Sequence, residues 1–429
     1  LANGLIIDIA NLAIVRTGSL FLKFSPEDAQ VKLNGKAVKV SFGLLSGGAL
    51  IKNLRPGMYE IEVARPGCVL PKPCAKEGVS AWKKTLRIES GRVTSATRII
   101  LWPENFISET LDNENLESFY VAEDAVVTKK NNLLFFDESV IKGNDIVSAY
   151  SRSRSIITEG ALKNYYLVDL EAPKTPVNVT SLFNSLKQTK LKLPGTVPIK
   201  NISFHPFSGN KIVLSTENAV YVLDVSKVDL ERIVALPSIK AFTVSQGEVF
   251  AINASGTIES FDLALKRKNT APFSIQGVTN MGTSRNGRFL ALVKTGGELL
   301  IFDREKSSLL LLDKNSPGYW FSPEGKRIAY TNYQNELFVY HLEDFDLDER
   351  YEKGALLTLE GQVNGFEWLP EFPNYALISS GGSLFISEVY ARKSITNKYE
   401  ISEDTTEYFY AKKDLYLLSK IGTLTKISL

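Results

Sequence analysis

Short alternations of apolar and polar residues recur along the chain and predict strands joined by tight turns. The clearest example is the stretch 319–340, Y-W-F-S-P-E-G-K-R-I-A-Y-T-N-Y-Q-N-E-L-F-V-Y. Pro323-Glu324-Gly325 supplies a first turn and an asparagine-containing segment supplies a second, so three short strands are predicted. Because three strands alone cannot bury both of their faces, such a meander needs neighbouring sheets.

The same pattern recurs over most of the chain. Copies lie at 119–137, 156–169, 202–224, 249–262, 283–303, 366–388 and 415–428. The third strands of the successive units end at Asp137, Asp169, Asp224, Asp262, Asp303, His341, Glu388 and Ile427. Their mean spacing is about 41 residues, and a four-stranded propeller blade repeats at about 40–45 residues. The repeat therefore predicts a propeller of seven or eight blades, with eight favoured.

Two segments depart from the repeat. Residues 106–116 precede the first unit, and we expect them to add a strand to the final blade, since this would remove an open sheet edge. Residues 171–197 are the longest irregular insertion. A short helix is predicted within it at Val179–Leu186, with Asn178 or Thr180 as the N-cap.

Residues 17–103 form a unit of a different kind. Several short alternating runs separated by turn residues predict five to seven strands without a helix, which is typical of a small β-sandwich. Asn34-Gly35 is a strong hairpin signal. Leu50–Leu54 is predicted as a short edge strand.

This N-terminal unit resembles the PEGA domain, a small β-sandwich of bacterial and archaeal surface proteins. The motifs that match are Ser25-Pro26-Glu27-Asp28-Ala29, Asn34-Gly35-Lys36, Leu54-x-Pro56-Gly57-x-Tyr59, Trp82-x-x-Thr85-Leu86 and Ser90-Gly91. Asp28 replaces the name-giving glycine, and the usual Gly-Thr-Pro segment is absent. The PEGA family has no shared catalytic residues, so this resemblance implies a fold and no ligand.

The rest of the chain resembles WD-type or TolB-like propellers, in which F-S-P-D-G precedes the second strand of a blade. The residues that carry this resemblance are Phe321-Ser322-Pro323-Glu324-Gly325 and Phe204-His205-Pro206. The two modules together resemble bacterial envelope PEGA-domain proteins. That resemblance implies an extracytoplasmic protein, anchored in the membrane through a segment upstream of Leu1. It also implies three parts: 1–16 as a juxtamembrane or lead-in segment, 17–103 as the sandwich and 104–429 as the propeller.

Composition narrows the functional classes. The formal net charge is only +2, whereas a nucleic-acid-binding protein usually has a strongly basic face. Dedicated nucleic-acid binding is therefore not expected. The opening fifteen residues are apolar but interrupted by Asn3, Asp8 and Asn11. They are therefore too polar for a membrane span, which needs about 20 mostly apolar residues.

The only two cysteines, Cys68 and Cys74, lie in one proline-rich loop, P-G-C-V-L-P-K-P-C. They form a candidate disulfide, which would imply an oxidising compartment. The alternative is two unrelated thiols. A metal site is not expected, because no second Cys/His pair completes four ligands.

Other polar and aromatic residues have ordinary structural explanations. His205 and His341 lack a carboxylate or cysteine at a suggestive spacing. The recurring aspartates either form a cation-binding ring or, as we expect, shape turns through hydrogen bonds to their own backbone. Five aromatic residues either line a binding groove or, as we expect in a repeat protein, pack between blades. The similar blade positions of Trp320 and Trp368 favour packing for these two in particular. The set is Tyr319, Trp320, Tyr333, Trp368 and Tyr390.

The sequence therefore predicts a non-enzymatic, extracytoplasmic, monomeric scaffold that recognises an envelope protein or a cell-wall glycan through propeller face loops. No G-x-S-x-G, sialidase box or phosphate-binding loop is present, and no cofactor is expected. One alternative is a glycan hydrolase or lyase that uses a carboxylate pair in the propeller channel. Another is a cytoplasmic protein-interaction propeller.

Overall fold

The computed structural model describes residues 4–8, 13–42, 48–65, 81–103, 105–112, 115–150, 153–245, 247–343, 356–389 and 397–429. Their regular secondary structure is almost entirely strand, with 60% of the residues in strands and 4% in helices, which confirms the predicted all-β class. The chain divides into two compact units, residues 1–107 with 346–403 and residues 108–345 with 404–429. The predicted domain boundaries stay predictions. Cys68, Cys74 and Tyr390 lie outside the described residues.

The first unit begins with ten short strands. They are β1 (Leu5–Asp8), β2 (Ala13–Arg16), β3 (Gly18–Ser25), β4 (Gln30–Leu33), β5 (Lys36–Val38), β6 (Ser41–Phe42), β7 (Ala49–Leu54), β8 (Gly57–Ala64), β9 (Trp82–Ile88) and β10 (Val93–Ile100). Strands β1 and β2 pair with each other. The remaining eight strands form two four-stranded sheets, with the orders β10-β3-β7-β6 and β5-β4-β8-β9.

These two sheets share one hydrophobic core. Leu20 in β3, Ile61 in β8 and Trp82 in β9 are each 1% exposed or less and belong to the same cluster of buried side chains. The alternation of buried and exposed residues along β3 and β9 follows from this, because successive side chains of a strand point to opposite faces.

Two local predictions in this unit have different outcomes. The Asn34-Gly35 hairpin is confirmed, since Leu33 pairs with Lys36 and both turn residues have positive φ. The prediction that Leu50–Leu54 is an edge strand is wrong. Strand β7 lies between β3 and β6, because the short strand β6 pairs along its other side.

The following strands repeat as antiparallel meanders. The first sixteen are β11 (Ser108–Asp112), β12 (Ser118–Ala122), β13 (Ala125–Lys130), β14 (Leu133–Phe136), β15 (Ser139–Ile141), β16 (Asp145–Ala149), β17 (Ser155–Glu159), β18 (Tyr165–Asp169), β19 (Val177–Asn178), β20 (Asn201–His205), β21 (Ser208–Ser215), β22 (Ala219–Asp224), β23 (Asp229–Ala235), β24 (Ile239–Val244), β25 (Glu248–Asn253) and β26 (Thr257–Asp262). The next sixteen are β27 (Arg267–Ser274), β28 (Val278–Thr283), β29 (Phe289–Lys294), β30 (Leu299–Asp303), β31 (Ser308–Asp313), β32 (Gly318–Phe321), β33 (Arg327–Thr331), β34 (Glu336–His341), β35 (Leu357–Thr358), β36 (Val363–Trp368), β37 (Tyr375–Ser380), β38 (Ser383–Glu388), β39 (Lys398–Ser402), β40 (Thr405–Ala411), β41 (Asp414–Ser419) and β42 (Leu424–Ser428).

Within its described residues, the second unit holds six complete four-stranded sheets and the meander β32–β34. The sheets are β12–β15, β16–β19, β20–β23, β24–β27, β28–β31 and β11-β42-β41-β40. The first unit holds a further sheet, β36–β39. The early strand β11 pairs with the last strand β42, with Ser108 opposite Ile427. This confirms the prediction that residues before the first repeat add a strand to the final sheet.

The turn between the first and second strands uses a recurring serine. In the stretch 319–340, the Ser322 hydroxyl accepts a hydrogen bond from the Arg327 N–H at 3.0 Å, and Gly325 has a φ of +73°. In the preceding sheet, the Ser284 hydroxyl accepts from the Phe289 N–H at the same distance, 3.0 Å. The Ser-Pro-Glu-Gly pattern is therefore turn chemistry.

The insertion after β19 contains the helix α1 (Val179–Thr189). The Asn178 side chain accepts a hydrogen bond from the Ser181 N–H at 2.9 Å, so the predicted helix and cap are confirmed. Phe183 is fully buried and its ring packs edge-on against Tyr221 at 5.1 Å. No helix among the described residues is long and apolar enough to cross a membrane.

Candidate functional site

An open groove of about 490 Å³ lies in the second unit, where three first strands end. It is lined by residues of 120–123 on β12, 146–150 on β16 and 409–412 on β40, and we call it the first-strand groove. Strand β12 contacts both β16 and β40, so the groove is built from the first strands of three different sheets.

A β-bulge places an apolar side chain in the groove. In β16, Ile146 pairs with Thr158 and Ser148 pairs with Ile157, which leaves Val147 as the extra residue. A bulge re-aims the side chain of its extra residue. Val147 is 41% exposed and Phe409 is 38% exposed. The groove therefore offers solvent-exposed apolar side chains from two of the three sheets that line it.

Paired charges lie beside this apolar lining. The Lys412 ammonium is 3.9 Å from the Glu123 carboxylate. Next to it, the Arg154 guanidinium donates two hydrogen bonds of 2.8 Å to Asp124, and these hydrogen bonds lower the pKa of Asp124. Both ion pairs join neighbouring sheets at their turn ends. Both pairs are exposed to solvent, which screens the attraction between their charges.

A second carboxylate lies near the groove on the β40 strand. Glu407 accepts a hydrogen bond from the Phe119 N–H at 3.3 Å, so it covers a backbone donor of β12. Burial raises the pKa of Glu407. Burial likewise raises the pKa of Tyr120, which also lines the groove. Glu407 therefore links two sheets. Among the described residues that line the groove, Glu123 is the only carboxylate.

The repeating aspartates shape turns. Their side chains accept backbone N–H bonds from residues two or three positions further on: Asp169 from Glu171, Asp224 from Lys227, Asp262 from Ala264 and Leu265, and Asp303 from Glu305 and Lys306. The turn interpretation is confirmed at these four positions, and Asp137 itself has a positive φ of +44°. The described residues hold no group of three or more side chains suited to a metal ion.

The two histidines lie at separate places in the fold. His205 is buried, and its Nδ1 accepts a hydrogen bond from the Phe207 N–H at 3.2 Å. Burial lowers the pKa of His205. His341 ends strand β34. Neither residue lines the first-strand groove.

The candidate aromatic residues do not converge on one site. Trp368 is 5% exposed, which confirms the packing interpretation for it. Tyr319 and Trp320 are half-buried, whereas Tyr333 is 68% exposed, so the packing interpretation is wrong for Tyr333. None of these four lines the first-strand groove. Its aromatic residues, Tyr120, Tyr150, Phe409 and Tyr410, were not singled out, because the sequence does not show which first strands are neighbours.

A buried polar cluster in the first unit was also not foreseen. The Lys84 ammonium of β9 is 3.0 Å from the Glu388 carboxylate of β38, and the two side chains are 5% and 8% exposed. The Asn397 amide donates to the second Glu388 oxygen at 3.0 Å and accepts from the Lys83 N–H at 2.9 Å. The cluster therefore joins the N-terminal sheets to the sheet β36–β39.

Aromatic contacts extend this junction. The Tyr375 hydroxyl accepts a hydrogen bond from the Ile100 N–H at 3.0 Å. The Trp102 ring packs edge-on against Phe372 at 4.9 Å and Tyr375 at 5.6 Å. Burial raises the pKa of Tyr375 well above its ordinary value. These contacts join the N-terminal sheets to one end of the sheet β36–β39, where β37 begins and β38 ends.

No family model matches this chain, and no curated protein matches it closely enough to count. Solved structures match at low identity. The β-propeller domain of Cps50 (Swd1) from Myceliophteria thermophila is 13% identical, covers 75% of this chain and 100% of its own, and has a TM-score of 0.40. Hsv2p from Kluyveromyces lactis is 12% identical, with coverage of 67% and 98% and a TM-score of 0.46. BamB from Moraxella catarrhalis is 12% identical, with coverage of 76% and 99% and a TM-score of 0.47. Identities and TM-scores this low do not show what this chain does.

Proposed function

We propose that this protein is a non-enzymatic scaffold that binds a partner protein, and that the first-strand groove receives apolar side chains of that partner. The proposal rests on the groove itself, which has a volume of about 490 Å³ and in which the side chains of Val147 and Phe409 are exposed. Exposed apolar surface of this kind, rimmed by charges, is typical of protein-interaction sites.

The charges of the groove favour binding over hydrolysis. A glycosidase needs two carboxyl groups about 5–10 Å apart across the scissile bond. Glu123 is the only carboxylate among the described lining residues, and it lies 3.9 Å from the Lys412 ammonium. A protein partner is also favoured over a glycan, because the apolar side chains of the groove offer few hydrogen-bonding groups to sugar hydroxyls.

The proposal includes an architecture and a compartment. The eight meanders form the blades of one propeller, and the two N-terminal sheets form a PEGA-like sandwich. Support comes from the β11–β42 pairing and from the core that the N-terminal sheets share. The scaffold is extracytoplasmic and is anchored through a segment upstream of Leu1, as the resemblance of the two modules to envelope proteins implies.

Photo-crosslinking tests the proposed partner site. A benzophenone amino acid placed at Phe409 or Val147 is expected to capture the same protein in living cells of the source organism. The control position is Leu265, which is 72% exposed and does not line the groove. Capture of one protein from both groove positions and not from Leu265 supports the proposal. An identical adduct pattern at all three positions contradicts it.

A binding measurement with the captured protein follows. The variant Val147→Asp is expected to weaken its affinity by about tenfold or more, because a carboxylate would be desolvated at the interface. Leu265→Asp is the matched control and is expected to leave the affinity unchanged. Isothermal titration with the full chain measures both, and equal affinities would show that the partner binds elsewhere.

The compartment is tested through the cysteines. We expect Cys68 and Cys74 to form a disulfide in the native protein, so that neither thiol reacts with an alkylating reagent until a reductant is added. Intact-mass measurement after alkylation in denaturant, with and without prior reduction, counts the thiols. Two alkylated cysteines in the unreduced sample would contradict the disulfide and would favour the cytoplasmic alternative.

A further inference from the structure

A second pocket, of about 510 Å³, lies beside the outer strand β23 of the second unit. It is formed by the segment that follows helix α1, by β23 and by the turn before β27. The described residues that line it are Lys190, Leu191, Leu193, Asp229, Leu230, Glu231, Arg232 and Lys266. The helix belongs to the long insertion at 171–197, so the insertion adds a wall that the repeated sheets do not provide. The pocket shares no lining residue with the first-strand groove.

Hydrogen bonds hold the wall that follows the helix. The Lys190 N–H donates to the Leu186 carbonyl at 2.8 Å, and the Leu193 N–H donates to the Lys187 carbonyl at 3.1 Å. The buried Lys187 ammonium donates to the Pro194 carbonyl at 3.1 Å. This segment is therefore folded back on its own helix without a ligand, and ligand pockets are usually pre-formed in this way.

Four of the five charged residues in this lining form ion pairs. Lys190 pairs with Asp229, and the Lys266 ammonium is 3.1 Å from both carboxylate oxygens of Glu231. These pairs join the other two walls to β23. Arg232 is different, because no carboxylate among the described residues pairs with its guanidinium. The lining residues comprise three cations and two carboxylates, so their net charge is +1.

The register of β23 explains why Arg232 has no ion pair with its neighbours. Residues 229–232 pair without interruption with β22. Successive side chains of a strand point to opposite faces, so Arg232 shares a face with Leu230. Asp229 and Glu231 point to the opposite face. Leu230 is 2% exposed, so the guanidinium lies on the apolar side of the strand.

We propose that this pocket binds an organic monocarboxylate with an apolar body, whose carboxylate pairs with Arg232. A guanidinium can form two parallel hydrogen bonds to a carboxylate, which makes this pair strong and specific. Leu191 and Leu193, which are half-buried in the lining, contact the apolar body. Two sources can supply this chemistry: the apolar C-terminal residue of another protein, and a free short-chain fatty acid.

The charge of the lining favours a carboxylate over other ligands. One negative charge balances the net charge of +1. A phosphate monoester carries about −1.5 to −2 at pH 7, so it would leave excess negative charge beside Asp229 and Glu231. A neutral ligand would leave Arg232 without a counter-charge. The Tyr221 phenol on the paired strand does not supply one, because burial raises its pKa and it stays neutral.

Ligand-observed proton NMR by saturation transfer, with the full-length chain, tests this site. The probes are N-acetyl-leucine, which represents an apolar C-terminal residue, and hexanoate, which represents a free fatty acid. Each acid is compared with its own uncharged amide. We expect the acid that matches the natural source to bind about tenfold more tightly than its amide. The acid with the higher affinity identifies the source.

Arginine variants connect this preference to the pocket. Arg232→Gln is expected to abolish the preference for the acid, whereas Arg232→Lys is expected to retain part of it. Arg267→Gln is the matched control and is expected to keep the full preference. Arg267 is exposed like Arg232 and lacks a carboxylate partner among the described residues, but it does not line the pocket. Thermal unfolding followed by circular dichroism checks that the variants are folded.

The proposal is overturned if each acid binds no better than its amide, or if none of the probes binds. It is also overturned if Arg232→Gln keeps the preference for the acid. An equal loss of preference in Arg267→Gln and Arg232→Gln would contradict it as well, because the attraction would then come from the general surface charge of this region.

Discussion

Replacing Lys84 with alanine is expected to lower the free energy of unfolding by about 3–5 kcal/mol. The Lys84 ammonium is 3.0 Å from the Glu388 carboxylate, and the two side chains are only 5% and 8% exposed. Removing the lysine leaves a buried carboxylate that retains the Asn397 amide as a partner but loses its countercharge. Urea titration followed by tryptophan fluorescence measures the change.

A matched pair in the same N-terminal sheets provides the control. The Lys32 ammonium is 2.7 Å from Glu62, but Lys32 is 39% exposed. Lys32→Ala is therefore expected to cost about 1 kcal/mol or less, because water solvates both charges. The double variant Lys84→Met, Glu388→Met is expected to recover most of the stability, because it leaves no unpaired buried charge. A cost for Lys84→Ala no larger than for Lys32→Ala would show that water reaches Glu388.

Features that depend on neighbouring residues were predictable from the sequence. The turn in 319–340 uses Ser322 and Gly325, and both signals lie within a few residues of each other. The helix cap Asn178 and the Asn34-Gly35 hairpin are equally local. The pairing of β11 with β42 is not local, but it follows from the repeat, since an open first and last sheet leaves an edge to be filled.

Features that depend on distant residues were not predictable. Lys84 and Glu388 are separated by 304 residues, and nothing in either local sequence indicates that they meet. The first-strand groove combines segments at 120–123, 146–150 and 409–412. The bulge at Val147 depends on the register between β16 and β17. Alternation along a strand indicates two faces, but it does not show which sheet covers each face or where a pairing slips.

The edge strand β31 shows a second limit of sequence patterns. The run of Leu309 to Leu312 has the composition of a strand that is buried on both faces. In the structure it is the outer strand of its sheet, and three of its leucines are more than 40% exposed. A run of leucines therefore predicts a strand, but it does not show whether that strand lies inside its sheet or at the edge.

Gly256→Ala is expected to destabilise the protein by about 2–5 kcal/mol, for two separate reasons. Gly256 has a φ of +84°, and a Cβ atom there would lie 2.4 Å from the carbonyl carbon and oxygen of Ile275. The Ile275 N–H donates a hydrogen bond to the Gly256 carbonyl at 2.9 Å. The turn therefore cannot move away from Ile275 without breaking this bond. The repeat at 249–262 predicts a turn here, but it does not show the close approach of a second backbone segment.

Gly277→Ala isolates the conformational part of this cost, because Gly277 follows Ile275 by two residues and has a φ of +77° with nothing within 4 Å of its would-be Cβ. It is expected to cost about 1–2 kcal/mol, the value for one residue in the left-handed region. Urea titrations of the two variants therefore differ by the cost of the contact alone. An equal loss of unfolding free energy in the two variants would mean that the β25–β26 turn shifts away from Ile275 freely. The hydrogen bond between Gly256 and Ile275 would then contribute little to holding this turn in place.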